Sequence, residues 1–247
     1  MNTTILLQGY SSSSLQLMED VYYYRSLDFN VVVSSYSECT SLLDQNLVVN
    51  NDTNDGIDVS DSMQPNNLGV NKDKNYKVKA PEKFFTQPGF NLNFQIHTTK
   101  NGLRKIQQDY PDTDYILKLR ADMKLVDLDK YVPKWIESKK ITVKGPPGSS
   151  GNKSWKVFDF WVFGSYIDIM NYYSIPYATQ YYSPESYLTQ YIRNTYKVSW
   201  EEAKEKYFNF EYDIPTFWYK YNGWLDTSME TGFTGIYPKH ITNDRPN

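Results

Sequence analysis

Short apolar runs that end in polar residues recur along the first two thirds of this 247-residue chain. They lie at residues 3–9 (TTILLQG), 29–37 (FNVVVSSYS), 115–119 (YILKL) and 141–145 (ITVKG). Apolar runs of this length, bounded by turn residues, are typical of strands buried on both faces of a sheet. Helix-forming segments separate the runs, and this alternation predicts an α/β fold with a sheet flanked by helices.

The segments between these strands predict helices. Apolar residues and one threonine recur from Leu92 to Ile106 at the three-to-four spacing of an amphipathic helix. A second helix should start or break near Pro133, because proline lacks the backbone N–H of a helix interior. This second helix is expected over residues 127–140. Two more helices are expected over residues 14–24 and 183–196.

Two further strands are expected, at residues 47–49 and 157–164. Residues 50–77 are rich in Asn, Asp, Gly and Ser, which predicts either a long surface excursion or an insertion with no role. The rest of the chain, residues 166–247, is aromatic, less periodic and richer in helix signals. We therefore expect a single domain, 1–247, whose last part is a lobe packed on the sheet formed by residues 1–165.

Composition excludes several classes of function. The net charge of −3 argues against a nucleic-acid partner, which usually requires a basic surface. One cysteine and two histidines cannot form an internal disulfide or a typical zinc site, and nothing local supports a Cys39–His97 nucleophilic pair. The first residues do not resemble a signal peptide, and no run of about 18 apolar residues predicts a membrane span. We expect a cytoplasmic protein.

Aromatic residues make up 17% of the chain, including 23 Tyr and 6 Trp. Tyrosine and tryptophan combine an apolar face with a polar group, which suits surfaces that bind sugars or nucleosides. The same residues could also fill the core. For the aromatic segment 200–224, the sequence leaves three roles open: a platform for an acceptor sugar, a homodimer surface, or packing of the lobe.

Polar residues follow several of the predicted strands, where an open α/β sheet binds its ligands. Arg120 and Asp122 are the strongest candidates, since a strand delivers both to one end of the sheet. A guanidinium can bind a diphosphate through two hydrogen bonds, and a carboxylate can hold a divalent metal that bridges the same phosphates. The alternative is a surface salt bridge at a strand end. The further candidates in this group are Gln8, Gly9, Ser34 and Ser35.

Five motifs follow one another in register along residues 4–190: Gln8-Gly9, Ser34-Ser35, the stretch 91–95 (NLNFQ), Gly102-Leu103 and the stretch 118–122 (KLRAD). In this order they resemble the WavE-type lipopolysaccharide-synthesis family of glycosyltransferases. The resemblance implies a GT-A-like fold whose first half binds a nucleotide-sugar donor, with residues 166–247 on the acceptor side.

The same resemblance implies a divalent metal, Mn²⁺ or Mg²⁺, held by a short acidic motif of the Asp-x-Asp type. This chain carries Arg120 where the first aspartate would stand. Asp122 could hold the metal alone, or Arg120 could replace part of the metal's charge.

Three residues with amide side chains begin the helix that precedes the strand at residues 115–119. They are Asn91, Asn93 and Gln95. They could bind ribose or sugar hydroxyls, whereas the alternative is helix capping by Asn91 with the other two exposed. We expect His97 and Lys100, one turn further along, on a solvated surface.

Two carboxylates are candidates for the base that deprotonates an acceptor hydroxyl. Strand alternation puts Asp159 on one face with Trp161, where a buried carboxylate needs a partner or a ligand. Glu185 follows Ser183 and Pro184 in the first turn of a predicted helix, where the helix dipole favours the ionised form. Each could equally be structural, Asp159 through a hydrogen bond inside the sheet and Glu185 as an ordinary first-turn residue.

Taken together, the sequence predicts a glycosyltransferase that moves a sugar from a nucleotide-diphosphate donor to a glycan hydroxyl. Arg120 and Asp122 would hold the phosphates, and Gln8 with Ser34 and Ser35 the nucleoside. A non-catalytic carbohydrate-binding or structural protein is the main alternative, since aromatic residues alone would suffice for it. A hydrolase of nucleotide sugars is a third reading.

Overall fold

The computed structural model describes residues 1–9, 14–35, 47–49, 92–145, 160–176, 188, 196–220 and 223–226. The secondary structure within them, in chain order, is β1 (Thr3–Gln8), α1 (Ser14–Ser26), β2 (Asn30–Ser35), β3 (Leu47–Val49), α2 (Leu92–Asp109), β4 (Tyr115–Arg120), β5 (Met123–Leu125), α3 (Leu128–Ser138), β6 (Ile141–Lys144), β7 (Trp161–Ser165), α4 (Tyr166–Tyr172), α5 (Trp200–Tyr207), β8 (Phe208–Glu211), β9 (Thr216–Lys220) and β10 (Gly223–Asp226).

Seven of these strands form one sheet in the order β3-β2-β1-β4-β7-β6-β8. β1 pairs in parallel with β2 and β4, β2 pairs in parallel with β3, and β6 pairs in parallel with β8. β7 runs antiparallel to both of its neighbours. The predicted α/β fold is therefore confirmed as a mostly parallel sheet flanked by helices.

Alternating residues of the central strands divide the core into two layers. Ile5 and Leu117 belong to a cluster that packs against α1 and α3. Leu6 and Ile116 point to the opposite face, into a cluster that packs against α2 and α4. Both faces are covered by helices, which explains why β1 and β4 read as continuous apolar runs.

Helix α2 approaches the sheet closely at Gly102. A Cβ atom at this position would lie 2.3 Å from Cδ1 of Leu6 and 3.1 Å from Cβ of Ser34. A larger residue would therefore push α2 away from β1 and β2 or displace Leu6. This close approach brings the first turns of α2 against the carboxyl ends of both strands.

The aromatic tail contains more strand than its sequence suggests. Strand β8 pairs with β6 and extends the main sheet, while β9 pairs with β10 and β5 in a second sheet of three strands. We expected mainly helix in this part and predicted none of these strands. Aromatic residues favour strands when they have partners across the sheet. For β8 and for one side of β9 these partners, β6 and β5, are far away in sequence.

Most of the other predicted elements are confirmed, including α1, α2 and the strands β1 to β4. Helix α3 differs from its prediction, since it starts at Leu128 and continues through Pro133. Its buried residues Val132 and Trp135 lie on either side of the proline, so packing against the sheet maintains the helix. The predicted excursion at residues 50–77 lies outside the described residues.

None of the helices within the described residues is long and apolar enough to cross a membrane.

Candidate functional site

The carboxyl ends of β1, β2 and β4 meet at one edge of the main sheet. Gln8 lies beside Ser34 on one side and beside Arg120 on the other. Backbone hydrogen bonds continue past the strand ends, from Gly9 N to Ser34 O and from Ala121 N to Gln8 O, both at 2.9 Å. Because open α/β sheets bind ligands beyond this kind of edge, it is the candidate site.

Gly9 turns the chain at the end of β1. Its φ of +99° lies in the left-handed region that residues with a side chain rarely adopt. A Cβ atom added there would meet no atom within 4 Å, so the backbone conformation, and not crowding, favours glycine. The open space next to Gly9 leaves its backbone accessible to a ligand.

Gln8 is buried and only half of its side-chain amide is paired. Its Nε2 donates a hydrogen bond of 2.6 Å to Oγ1 of Thr98 on α2. Its Oε1 is buried and has no hydrogen-bond partner in the described part of the chain. A buried carbonyl oxygen without a donor is destabilising by about 1–3 kcal/mol, so an amino or hydroxyl group of a ligand would be favoured there.

Ser34 is also held by Thr98. Its hydroxyl donates a hydrogen bond of 2.6 Å to the carbonyl oxygen of Thr98. The hydroxyl proton of Ser34 is therefore used within the protein, and the side chain is 0% exposed. Ser35, the last residue of β2, is fully buried. Thr98 was not among the residues predicted from sequence, because only the close approach of α2 brings it to the strands.

Arg120 and Asp122 form a bidentate pair at the end of β4. Arg120 donates from Nε to Oδ1 of Asp122 at 2.9 Å and from Nη2 to Oδ2 at 2.6 Å. The two side chains are 26% and 21% exposed, so the pair is accessible from solvent. The guanidinium carbon lies 5.8 Å from the ring centre of Phe160, which covers one side of it. Salt bridging was the alternative to ligand binding, and the two residues do pair with each other.

The pair bears directly on the expected metal. Both oxygens of Asp122 accept hydrogen bonds from a positively charged group, which repels a cation. No group of three or more His, Cys, Asp or Glu side chains that could hold a metal occurs among the described residues. A divalent metal at Asp122 would therefore have to displace Arg120, and the expected metal site stays a prediction.

A second cation lies on the same face of β4. Lys118 stands two residues before Arg120 and is 1% exposed, beside Leu6 of β1 and Val162 of β7. Its ammonium nitrogen is 5.9 Å from the ring centre of Tyr173. Strand alternation would have indicated this position, since residues two apart share a face. The amine of Lys118 therefore lies on the same face of β4 as the guanidinium of Arg120.

The predicted amides of α2 are only partly described. Asn91 and the side chain of Asn93 lie outside the described residues, so their roles stay predictions. Gln95 is half-buried, and its main-chain carbonyl oxygen accepts a hydrogen bond of 3.3 Å from Thr98 Oγ1. This bond keeps Thr98 in place beneath Gln8.

The expectation of a solvated His97 is wrong. His97 is 1% exposed, and its Nε2 lies 3.0 Å from Nδ2 of Asn101 one turn along α2. His97 is therefore a buried residue of α2 whose ring contacts the side chain of Asn101. Lys100 is half-buried rather than fully solvated.

The two candidate bases, Asp159 and Glu185, lie outside the described residues, as does Cys39. Strand β7 begins at Trp161, and Trp161 and Phe163 are buried on the face that packs against α3. The roles of Asp159 and Glu185 stay predictions from sequence.

Comparison with known proteins finds no matching family model and no matching curated protein. Two solved structures are similar over most of the chain. One is the crystal structure of a glycosyltransferase involved in the glycosylation of the major capsid of PBCV-1, with 12% identity, a TM-score of 0.43, and coverage of 85% of this chain and 82% of that one. The other is the crystal structure of A197 from STIV, with 10% identity, a TM-score of 0.43, and coverage of 90% and 87%. At these identities and TM-scores we base neither fold nor function on them.

Proposed function

We propose that this protein is a GT-A-like glycosyltransferase that moves a sugar from a nucleotide-diphosphate donor to a glycan hydroxyl. The observation that carries the proposal is the accessible Arg120–Asp122 pair at the carboxyl edge of a parallel sheet. A guanidinium in this place matches the geometry of a diphosphate, which accepts two parallel hydrogen bonds from it.

In this proposal Arg120 binds the donor diphosphate while Asp122 orients its guanidinium. Nε and Nη2 of Arg120 donate to Asp122, which fixes the plane of the guanidinium, and a diphosphate would be bound by the other edge of the same group. A preorganised guanidinium loses less conformational entropy on binding than a mobile one. Developing negative charge on the leaving diphosphate is then stabilised by a cation that is already in position.

Gln8 and the ends of β1 and β2 are proposed to bind the nucleoside. The unpaired Oε1 of Gln8 would accept a hydrogen bond from the base or ribose. Gly9 allows the ligand to approach the backbone of the turn. Ser34 and Ser35 are both fully buried at the end of β2, so they would support the turn that faces the nucleoside.

We propose that Arg120 supplies the positive charge for which a metal was expected. Mg²⁺ commonly binds through one or two carboxylates together with substrate phosphates. Here the carboxylate of Asp122 is already bonded at both oxygens to Arg120. In this proposal Arg120 stabilises the leaving diphosphate without a metal.

The acceptor base is proposed from the sequence. Glu185 would take the proton of the acceptor hydroxyl as its oxygen attacks the anomeric carbon and the bond to the diphosphate breaks. Asp159 is the alternative base. The aromatic tail would form the platform on which the acceptor sugar packs, and the WavE-type resemblance suggests polysaccharide synthesis at the cytoplasmic side.

Donor turnover tests the proposal. Purified protein would be incubated with UDP-, GDP-, CDP- and dTDP-sugars, with and without a panel of glycan acceptors, while nucleoside diphosphate and free sugar are measured. We expect nucleoside diphosphate release that depends on an acceptor. Release of free sugar without an acceptor would instead identify a hydrolase, and glycan binding without turnover of any donor would leave a carbohydrate-binding protein.

A further inference from the structure

Helix α1 is joined by two links to strand β5, which starts directly after Asp122. The first is Tyr24, whose hydroxyl accepts a hydrogen bond of 3.0 Å from Leu125 N. The same hydroxyl lies 3.3 Å from the carbonyl oxygen of Leu125, to which it donates. Tyr24 thus pairs both backbone groups of one residue of β5, as a neighbouring strand would.

The second link is an ion pair between Asp20 and Lys124. Nζ of Lys124 lies 3.1 Å from Oδ1 of Asp20, an electrostatic contact rather than a well-aligned hydrogen bond. Nε2 of Gln16 donates to Oδ2 of Asp20. The same Nζ is 4.3 Å from the ring centre of Tyr23, so Lys124 is held from two sides.

Asp20 is costly to bury, since it is only 1% exposed. Loss of solvation raises the pKa of its carboxyl to about 7, although Lys124 acts in the opposite direction. Replacement of such a buried pair by apolar residues is often neutral or stabilising in other proteins. Stability alone therefore does not explain why an aspartate is buried at position 20.

The link lies close to the proposed donor site. Strand β5 begins at Met123, immediately after Asp122. The side chains of Ala121 and Met123, one on each side of Asp122 in the chain, are buried in the core. On the other side of Asp122, Ala121 N is bonded to the carbonyl oxygen of Gln8. Asp122 therefore stands between two fixed points, the backbone of β1 and the α1-bound strand β5.

We propose that Asp20 and Lys124 are positioning residues, which fix β5 and thereby the orientation of the Arg120–Asp122 pair toward the donor diphosphate. The inference rests on the proposed function, because it assigns the pair a role in binding that diphosphate. Sites that recognise a rigid ligand group depend on such supporting contacts, and a displacement of about 1 Å can reduce rates on the order of 100-fold.

The test compares Asp20→Asn, Lys124→Met and the double variant with the wild type at pH 8, where Asp20 is ionised. Asp109→Asn is the matched control, since Asp109 forms an ion pair of 2.8 Å with Lys105 at the end of α2 that leads into the opposite edge of the sheet. Affinity for UDP, GDP, CDP and dTDP is measured by titration calorimetry, and folding by thermal melting and circular dichroism.

We expect both single variants to weaken nucleoside diphosphate binding about tenfold or more while they remain folded. The double variant should bind no worse than the weaker single variant, because the two changes remove one interaction. The Asp109→Asn control should bind as the wild type does. If Asp20→Asn does not fold, Lys124→Met decides, since Lys124 is partly exposed and its removal leaves Asp20 free to be protonated.

Two results would overturn the inference, and they are distinguishable. Folded variants that bind diphosphate within about twofold of the wild type would make Asp20 and Lys124 a purely structural pair, with the proposed function intact. A wild type that binds none of the four diphosphates would overturn the proposed function and this role with it.

Discussion

Arg120 and Asp122 face each other across the turn that follows β4, with two hydrogen bonds between guanidinium and carboxylate at 2.9 and 2.6 Å. The pair stands beside Gln8 at the carboxyl edge of a parallel sheet, and it is reached from solvent. An arginine whose orientation is set by a carboxylate is suited to bind a diphosphate. This relationship is the basis of the proposed donor site.

Asp122→Asn should reduce transfer far more than it reduces stability. A neutral amide orients Arg120 less firmly, so we expect donor turnover to fall on the order of 100-fold. A partly exposed ion pair contributes about 1 kcal/mol or less to folding, so the melting temperature should shift by only a few degrees. Asp109→Asn, which breaks a comparable pair remote from the site, is the control. Near-normal transfer by the Asp122 variant would make Asp122 a surface residue.

Chelation should leave transfer unchanged. Both oxygens of Asp122 are bonded to Arg120, and the described residues contain no group of three or more side chains that could hold a metal ion. Initial rates would be compared in excess EDTA, Mg²⁺ and Mn²⁺ with the same donor and acceptor. Equal rates are the expected result. Activity that appears only with a metal would mean that Asp122 exchanges Arg120 for a cation when donor binds.

Glu185→Gln should separate catalysis from donor binding. The substitution keeps side-chain volume but removes the base, so transfer should fall about 100-fold or more while the dissociation constant of the donor is unchanged. The measurement pairs initial rates with donor titration. If transfer survives in this variant and is abolished in Asp159→Asn, Asp159 is the base.

Asp20 predicts a pH-dependent stability. Its pKa is raised to about 7 in the folded protein, chiefly by burial and slightly by Glu19, while Lys124 lowers it; the ordinary value is 3.8. The folded state thus holds the proton more tightly than the unfolded state. This tighter proton binding favours the folded state by on the order of 4 kcal/mol, since the pKa differs by about three between the folded and unfolded states. The stabilisation is present below pH about 4 and is lost as the pH rises through 7.

Urea unfolding of the wild type and Asp20→Asn at pH 4.5, 6 and 8 measures this effect. The wild type should lose stability relative to the variant as pH rises. Tyr23 and Tyr24 beside Asp20 have pKa values raised above 10, so they do not titrate in this range. Parallel stability curves for the two proteins would show that Asp20 titrates as an ordinary exposed carboxyl does.

The sequence indicated the edge of the site because strand alternation and polar strand ends are local signals. Gln8, Ser34 and Arg120 each follow an apolar run, and parallel strands bring such ends together. The same signals could have identified Lys118, which shares a face of β4 with Arg120. These signals predict that the residues lie close together, but they do not predict which residue each side chain bonds to.

The contacts across elements could not be predicted in this way. The bonds that Thr98 makes to Gln8 and Ser34 depend on how closely α2 approaches the sheet, and this distance is set by Gly102 against Leu6. Similarly, Asp20 meets Lys124 only after β1, β4 and β5 have assembled. Such contacts follow from packing among segments far apart in sequence, for which no local pattern exists.

Nucleoside diphosphate binding by the wild type and Arg120→Met tests the donor site most directly. Chemical unfolding would be measured with UDP, GDP, CDP and dTDP, with and without Mn²⁺. At 100 times its dissociation constant, one of these ligands should stabilise the wild type by about 2.7 kcal/mol. It should stabilise the folded Arg120→Met variant far less. Absence of stabilisation by all four ligands, or equal stabilisation of both proteins, would contradict the assignment of this edge as a diphosphate site.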